Sequence, residues 1–87
     1  MIEVRALDGE TFEVTVRART PTTHRVTVRP AYHQQLTGGR MDVETLVRRS
    51  FEFLLEREPN TSILARFDLS VIARYFPEYE RVIRPSA

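Results

Sequence analysis

Residues 24–58, HRVTVRPAYHQQLTGGRMDVETLVRRSFEFLLERE, carry the clearest structural signals in the chain. The stretch opens with alternating apolar and polar side chains, which is typical of a strand with one buried face. Pro30 can then start a short helix, and the Gly38–Gly39 pair can end it. The remainder is amphipathic, so the stretch predicts a strand, a short helix and a long helix in that order.

The long helix is predicted over about residues 42–57, with Asp42 as its N-terminal cap and Pro59 beyond its end. Apolar residues recur along it at helical spacing, and Phe53 widens the apolar arc to roughly half of the circumference. A helix with an arc of this width needs two partners. One is the sheet, and the other is either the C-terminal helices or a second subunit.

Two further runs of alternating side chains precede this stretch and predict strands over residues 2–6 and 12–18. The third strand continues to Arg29 and is expected to turn its apolar side chains inward, together with His24. Consecutive strands joined by short turns pair antiparallel. The sequence therefore predicts a three-stranded antiparallel meander over about residues 2–29.

The turn between the first two strands sets their register. A three-residue loop with Gly9 in the left-handed conformation would oppose Val4 to Phe12 and Ile2 to Val14. This pairing places the apolar side chains of both strands on one face. We therefore expect the three-residue loop.

The C-terminal third predicts two or three short helices. Asp68 can cap a helix over residues 69–76, and a second helix is predicted over residues 78–83. The segment before Asp68 is predicted to form a turn, and residues 84–87 are expected to form a disordered tail. Strands followed by helices define an α+β fold class.

The composition fits a single domain spanning residues 1–87, with 41% apolar and 29% charged residues and a net charge of +1. The chain has no cysteine, which excludes disulfides, thiolate metal sites and cysteine nucleophiles. It shows no signal-peptide pattern and no apolar run long enough for a membrane helix. We therefore expect a cytoplasmic protein that does not enter the membrane.

No catalytic or metal-binding constellation is found in the sequence. His24 and His33 are the only histidines, and they lie on different predicted elements without a metal-ligand spacing. His24 is expected to pack at the sheet, and His33 is expected to be exposed. The Gly38–Gly39 pair lacks the spacing of a phosphate-binding loop. We therefore expect a protein that is not an enzyme and that needs no cofactor or metal.

Residues 25–57 resemble a ribbon-helix-helix repressor or antitoxin. Arg25-Val26-Thr27-Val28-Arg29 looks like the strand of that family, and residues 45–54 look like its second helix. The resemblance implies that two chains pair their strands in a dimer and that Arg25, Thr27 and Arg29 contact DNA bases. The alternative is an amphipathic helix that follows a strand in an ordinary α+β domain.

Arginine is also abundant on the predicted outer face of the sheet. Arg5, Arg17, Arg25 and Arg29 all fall there, and two glutamates share the face. The arginines could follow a nucleic-acid backbone, or they could form solvated pairs with neighbouring acidic side chains. The sequence leaves these two explanations open.

The C-terminal third is rich in aromatic residues, which belong either to the core or to a docking surface for a partner. The docking surface is predicted to include Phe53, Tyr75 and Tyr79. Our main hypothesis is a protein-interaction or regulatory module whose partner is an unknown protein or a second copy of the chain. A dimeric DNA-binding protein is the alternative hypothesis.

Overall fold

The computed structural model describes residues 1–85 and has the predicted α+β architecture. Positions 86 and 87 of the predicted disordered tail lie outside the described residues. In this part of the chain, no helix combines the length and apolar character needed to cross a bilayer. The strands are β1 (Ile2–Ala6), β2 (Thr11–Val16), β3 (Thr22–Thr27) and β4 (Arg66–Asp68). The helices are α1 (Pro30–Thr37), α2 (Val43–Leu55), α3 (Ile72–Tyr75) and α4 (Tyr79–Ile83), and 3₁₀ turns form at Asn60–Ser62 and Leu69–Val71.

The sheet contains the predicted meander and one additional strand. Its strand order is β1-β2-β3-β4, with the first three antiparallel and β4 parallel to β3. The segment of β4 was predicted to be a turn, and that prediction is wrong. β4 has only three residues, and Phe67 is the one that faces inward, beside Val26. A strand of this length is too short to show an alternation of apolar and polar residues in the sequence.

The predicted register of β1 and β2 is also wrong, by two residues. Val4 pairs with Val14 rather than with Phe12, and Gly9 does not adopt a positive φ. The cause is Asp8, whose Oδ1 accepts hydrogen bonds of 2.8 Å from the N–H groups of both Glu10 and Thr11 and so closes a longer loop. A slip of two residues keeps every side chain on its predicted face, so the inner face remains apolar.

Helix α2 lies across the inner face of the sheet and begins where the sequence predicts. The side chain of Asp42 accepts a hydrogen bond of 3.1 Å from the N–H of Thr45, which caps the helix. The wide apolar arc of α2 requires a second partner, and this partner is α4, which packs against it. Two residues of α4 are buried there, since Tyr79 is fully buried and Ile83 is 6% exposed. The chain therefore covers this helix with its own C-terminal residues.

A buried pair of hydroxyl groups lies at the contact between α2 and α4. The Oγ of Ser50 donates a hydrogen bond to the carbonyl oxygen of Leu46, 2.7 Å away. Because that bond uses the serine proton, the hydroxyl of Tyr79 must donate the second bond, of 2.7 Å, to Oγ of Ser50. Burial raises the pKa of Tyr79, so this hydroxyl remains protonated.

Candidate functional site

The structure separates the three residues of the predicted docking surface. Phe53 is 3% exposed and Tyr79 is fully buried, so neither can contact a partner, whereas Tyr75 is 67% exposed. The prediction fails for the first two because their rings pack together, with centroids 5.2 Å apart, where α4 covers α2. Of the three residues, Tyr75 remains a candidate for docking.

Tyr75 lies at the rim of an apolar groove of about 240 Å³. The groove is formed by four separate parts of the chain: the C-terminal end of α2, the loop after the first 3₁₀ turn, β4, and the segment leading through α3. Its lining residues are Leu54, Glu58, Ser62, Ile63, Leu64, Phe67, Val71, Ile72, Tyr75 and Phe76. The groove is more apolar than a second surface depression, which lies between α2 and the C-terminal end of α4.

The lining divides into a buried floor and an exposed rim. Ile63 and Ile72 are 8% and 3% exposed, and they belong to the hydrophobic core. Leu64 is 49% exposed and stands with Tyr75 at the rim. The ring of Phe67 packs on that of Phe51, with centroids 6.0 Å apart. The floor is thus continuous with the core, whereas the rim can contact a partner.

A network of polar side chains, of which His24 and Asn60 are buried, holds the segment that contains Leu64 in place. The Nδ1 of His24 donates a hydrogen bond of 2.8 Å to the carbonyl oxygen of Leu64, because a carbonyl can only accept. The other ring nitrogen lies 2.9 Å from Oγ1 of Thr22. Asn60 Nδ2 donates to the same Oγ1 and to the carbonyl oxygen of Thr20. These bonds join the start of β3 to the segment that leads into β4.

Glu58 is the one charged residue in the lining of the groove. Among residues 1–85, its carboxylate has no cationic partner within 4.0 Å, whereas the nearby Glu78 pairs with Arg57 at 3.1 Å. Glu58 is half-buried, so its charge is less screened than that of a fully exposed carboxylate. The groove therefore has an apolar floor and one negative charge beside it.

The strand β4 forms one edge of the sheet directly beside the groove. Arg66 of β4 is in register with Arg25 of β3, so both guanidinium groups project from the outer face. Both residues are exposed, and neither has an acidic partner within 4.0 Å among residues 1–85. Two unpaired positive charges therefore lie on the opposite side of β4 from the groove.

The strand that resembles the ribbon of a ribbon-helix-helix protein lies inside the sheet. Arg25 and Thr27 are paired with β2 on one side and with β4 on the other. A strand with both edges occupied cannot also pair with a second chain, so the intermolecular ribbon is not available in this fold. Arg29 already forms a salt bridge, since its Nε lies 3.1 Å from Oδ2 of Asp68. We therefore do not carry the DNA-binding hypothesis forward.

Most of the arginines on the outer face form pairs with acidic neighbours. Arg5 donates to Glu13 at 2.7 Å, and Arg17 donates to Glu3. The hydrogen bond from Arg17 lowers the pKa of Glu3. These contacts favour the solvated, cross-strand explanation for this part of the face.

The two histidines take structural positions. His33 was predicted to be exposed, but it is half-buried and its ring nitrogen lies 2.6 Å from the carbonyl oxygen of Met41. That contact joins α1 to the residue before the cap of α2. His24 is buried, as the sequence predicts, at 2% exposure. Within the described residues no three His, Cys, Asp or Glu side chains are grouped so that they could hold a metal ion.

No protein-family model, no curated protein and no solved structure matches this chain. The functional interpretation therefore depends on the geometry of the groove. The sequence groups Phe67 with Tyr75 as aromatic residues of the C-terminal third, but it does not identify Leu64 or Glu58 as their neighbours. The sequence signal at this surface is the consecutive apolar pair Ile63-Leu64, because successive residues of an extended segment point to opposite sides and one of the two is then expected to be exposed.

Proposed function

We propose that this protein is a protein-interaction module, and that its groove binds an apolar side chain from an extended segment of a partner protein. The observation that carries this proposal is the apolar groove with Leu64 and Tyr75 exposed at its rim. Its volume of about 240 Å³ is below the roughly 300–1,000 Å³ of typical small-molecule pockets. A cavity of this size suits an anchoring side chain better than a cofactor.

The charge beside the groove favours a partner with a basic residue. Glu58 has no cationic partner within 4.0 Å among residues 1–85. A lysine or arginine of the partner would complement this carboxylate, whereas a fatty acid or another anionic amphiphile would be repelled by it. We therefore propose an anchor that is apolar and that has a basic residue near it in the partner segment.

Tyr75 is the residue that we expect to contribute most to binding. Tyrosine offers a large apolar ring and a hydroxyl group that can remain in contact with water, and it is enriched among residues that dominate interface energies. At 67% exposure, it is the most exposed large apolar side chain apart from the N-terminal Met1 among residues 1–85. Its replacement should therefore change binding without removing a part of the core.

The test uses a random peptide library displayed on phage and selected on the wild-type protein. Enriched peptides are synthesised, and their affinities are measured by calorimetry for the wild type, Tyr75→Ala and Leu64→Ser. Val82→Ser is the matched control, because Val82 is 52% exposed but lies on α4 and does not line the groove. We expect Tyr75→Ala to weaken binding about tenfold or more, and Val82→Ser to have no effect.

Three results would overturn this proposal. The first is that no peptide is enriched on the wild-type protein, and the second is that enriched peptides bind Tyr75→Ala as tightly as the wild type. The third is a stable dimer that Tyr75→Ala dissociates, measured by light scattering, because the groove would then be occupied by a second copy. Glu58→Gln tests the charge, and we expect it to weaken the binding of peptides with a basic residue near the anchor.

A further inference from the structure

We infer that the partner segment binds as an additional β-strand along the free edge of β4. This inference rests on the function proposed above and specifies how the backbone of the partner is held. β4 is a terminal strand of the sheet, so one of its two edges has no neighbouring strand. An exposed sheet edge is a common docking place for extended segments, because main-chain hydrogen bonds hold them and side-chain pockets select them.

The backbone of Arg66 is oriented for this pairing. The N–H of Arg25 donates to the carbonyl oxygen of Ala65, 2.8 Å away, so Ala65 faces β3. Successive residues of a strand direct their N–H and C=O groups to opposite sides, so Arg66 directs both of its groups away from the sheet. Within residues 1–85, no turn or loop supplies a backbone partner for Arg66. A donor and an acceptor are therefore available at the edge.

The groove lies where the side chains of an added strand would point. Phe67 projects from β4 onto the inner face and lines the groove, next to Val71 and Tyr75 of the following segment. An added strand would lie about 4.8 Å beyond β4, with alternate side chains on the same inner face. One of these side chains would be the apolar anchor. Backbone pairing and anchoring can thus occur in a single binding mode.

The arginines on the outer face of the sheet determine which residues are favoured next to the anchor in the partner segment. Residues adjacent to the anchor in the added strand would point outward and lie beside Arg66, which is itself in register with Arg25. Both arginines lack an acidic partner within 4.0 Å among residues 1–85, so an aspartate or glutamate is favoured at these positions. The expected partner segment has an inward apolar residue that is flanked by an outward acidic one.

The opposite edge of the sheet is less suited to such pairing. There the guanidinium of Arg48 donates a hydrogen bond of 2.5 Å to the carbonyl oxygen of Ile2, which occupies one of the free acceptors of β1. The N–H of Arg17 donates to the carbonyl oxygen of Met1, and the N–H of Leu7 donates to that of Thr11. The odd-numbered residues of β1 therefore direct their backbone N–H and C=O groups toward β2. Ala6 therefore directs its N–H outward, as Arg66 does, but no residue of β1 lines the apolar groove described above.

Three variants test the inference with the peptides selected above. Arg66→Pro removes the outward N–H and breaks no bond to β3, whereas Arg66→Ala removes the side chain and keeps the N–H. Ala6→Pro is the matched control at the other edge, where the residue is also exposed and also directs its N–H outward. We expect Arg66→Pro to bind roughly three- to tenfold more weakly than Arg66→Ala, the equivalent of one backbone hydrogen bond, and Ala6→Pro to bind normally.

A scan of the peptide backbone tests the inference independently of how the variants fold. Single N-methylation of successive peptide amides should weaken binding at every second position, because alternate amides face β4. If methylation has no alternating effect and Arg66→Pro binds as Arg66→Ala does, strand addition is overturned. The groove itself would still stand if Tyr75→Ala abolished binding, and both proposals would fall if Tyr75→Ala had no effect.

Discussion

The Nδ1 atom of His24 lies 2.8 Å from the carbonyl oxygen of Leu64, so a buried side chain of β3 holds the segment that forms one wall of the groove. The same ring lies against Phe51 of α2, with centroids 5.3 Å apart. One histidine therefore connects the sheet, the long helix and the groove. A residue that has no chemical role in binding can in this way determine whether the binding surface keeps its shape.

We expect His24→Phe to destabilise the protein and to loosen β4. Phenylalanine keeps the aromatic contact but leaves the carbonyl of Leu64 without its donor, which costs about 1–3 kcal/mol when the group stays buried. Urea unfolding gives the free-energy change, and hydrogen exchange at residues 65–68 gives the local effect. The matched control is His33→Phe, which removes a comparable bond to the carbonyl oxygen of Met41, and neither residue lines the groove. Equal exchange rates at residues 65–68 in the wild type and in His24→Phe would contradict this role.

The buried hydroxyl pair predicts an asymmetric response to mutation. Tyr79→Phe leaves Ser50 bonded to Leu46 and should cost about 1 kcal/mol, the net value of one hydrogen bond. Ser50→Ala leaves the tyrosine hydroxyl buried without a partner and should cost more, about 1–3 kcal/mol. The double variant should cost less than the sum. Chemical denaturation of the three variants measures this, and additive effects would show that the two hydroxyls do not interact.

Acid should destabilise the protein through carboxyl groups that cap turns and helices. Hydrogen bonds from Thr45 hold the pKa of Asp42 below its usual value, and the N–H groups of Glu10 and Thr11 do the same for the pKa of Asp8. A group whose pKa is lower in the folded state stabilises the fold above its unfolded pKa. This stabilisation is lost as the pH falls from the unfolded value of about 4 through the folded one.

The variant Asp42→Asn isolates one of these groups. Asparagine also caps helices well, so the helix should remain intact while the titration at this position disappears. We expect the stability of Asp42→Asn to fall less steeply below about pH 4 than that of the wild type. Urea unfolding followed by circular dichroism between neutral and acidic pH measures the difference. Identical pH profiles would mean that Asp42 contributes nothing to the acid sensitivity.

Local features of the fold could be predicted from the sequence because they depend on neighbours along the chain. Asp42 caps α2, and Asp68 accepts a hydrogen bond of 3.0 Å from the N–H of Ser70 at the start of the next turn, as predicted. Gly38 ends α1 with a φ of 63°, a conformation that glycine adopts without strain. The alternation in β2 and β3 likewise placed their side chains on the correct faces.

The candidate site could not be predicted in this way, because its parts are far apart in the sequence. Phe53 and Tyr79 carry the same aromatic signal as Tyr75, and only the packing of α4 on α2 buries the first two. In the same way, nothing local distinguishes β4 from a turn, since three residues become a strand only when the edge of β3 is available to pair with them.

The sequence by itself thus determined the class of fold, the order of the main elements and the buried faces of β2 and β3. These follow from the period of the apolar residues and from caps that act within a few residues. The register of the first hairpin is also local, since hydrogen bonds within the loop at Asp8 set it, but the apolar pattern does not show it. The tertiary structure decided the fourth strand and the groove between β4, α2 and α3. Both depend on contacts between distant segments, such as that between His24 and Leu64, whose strength comes from burial rather than from local pattern.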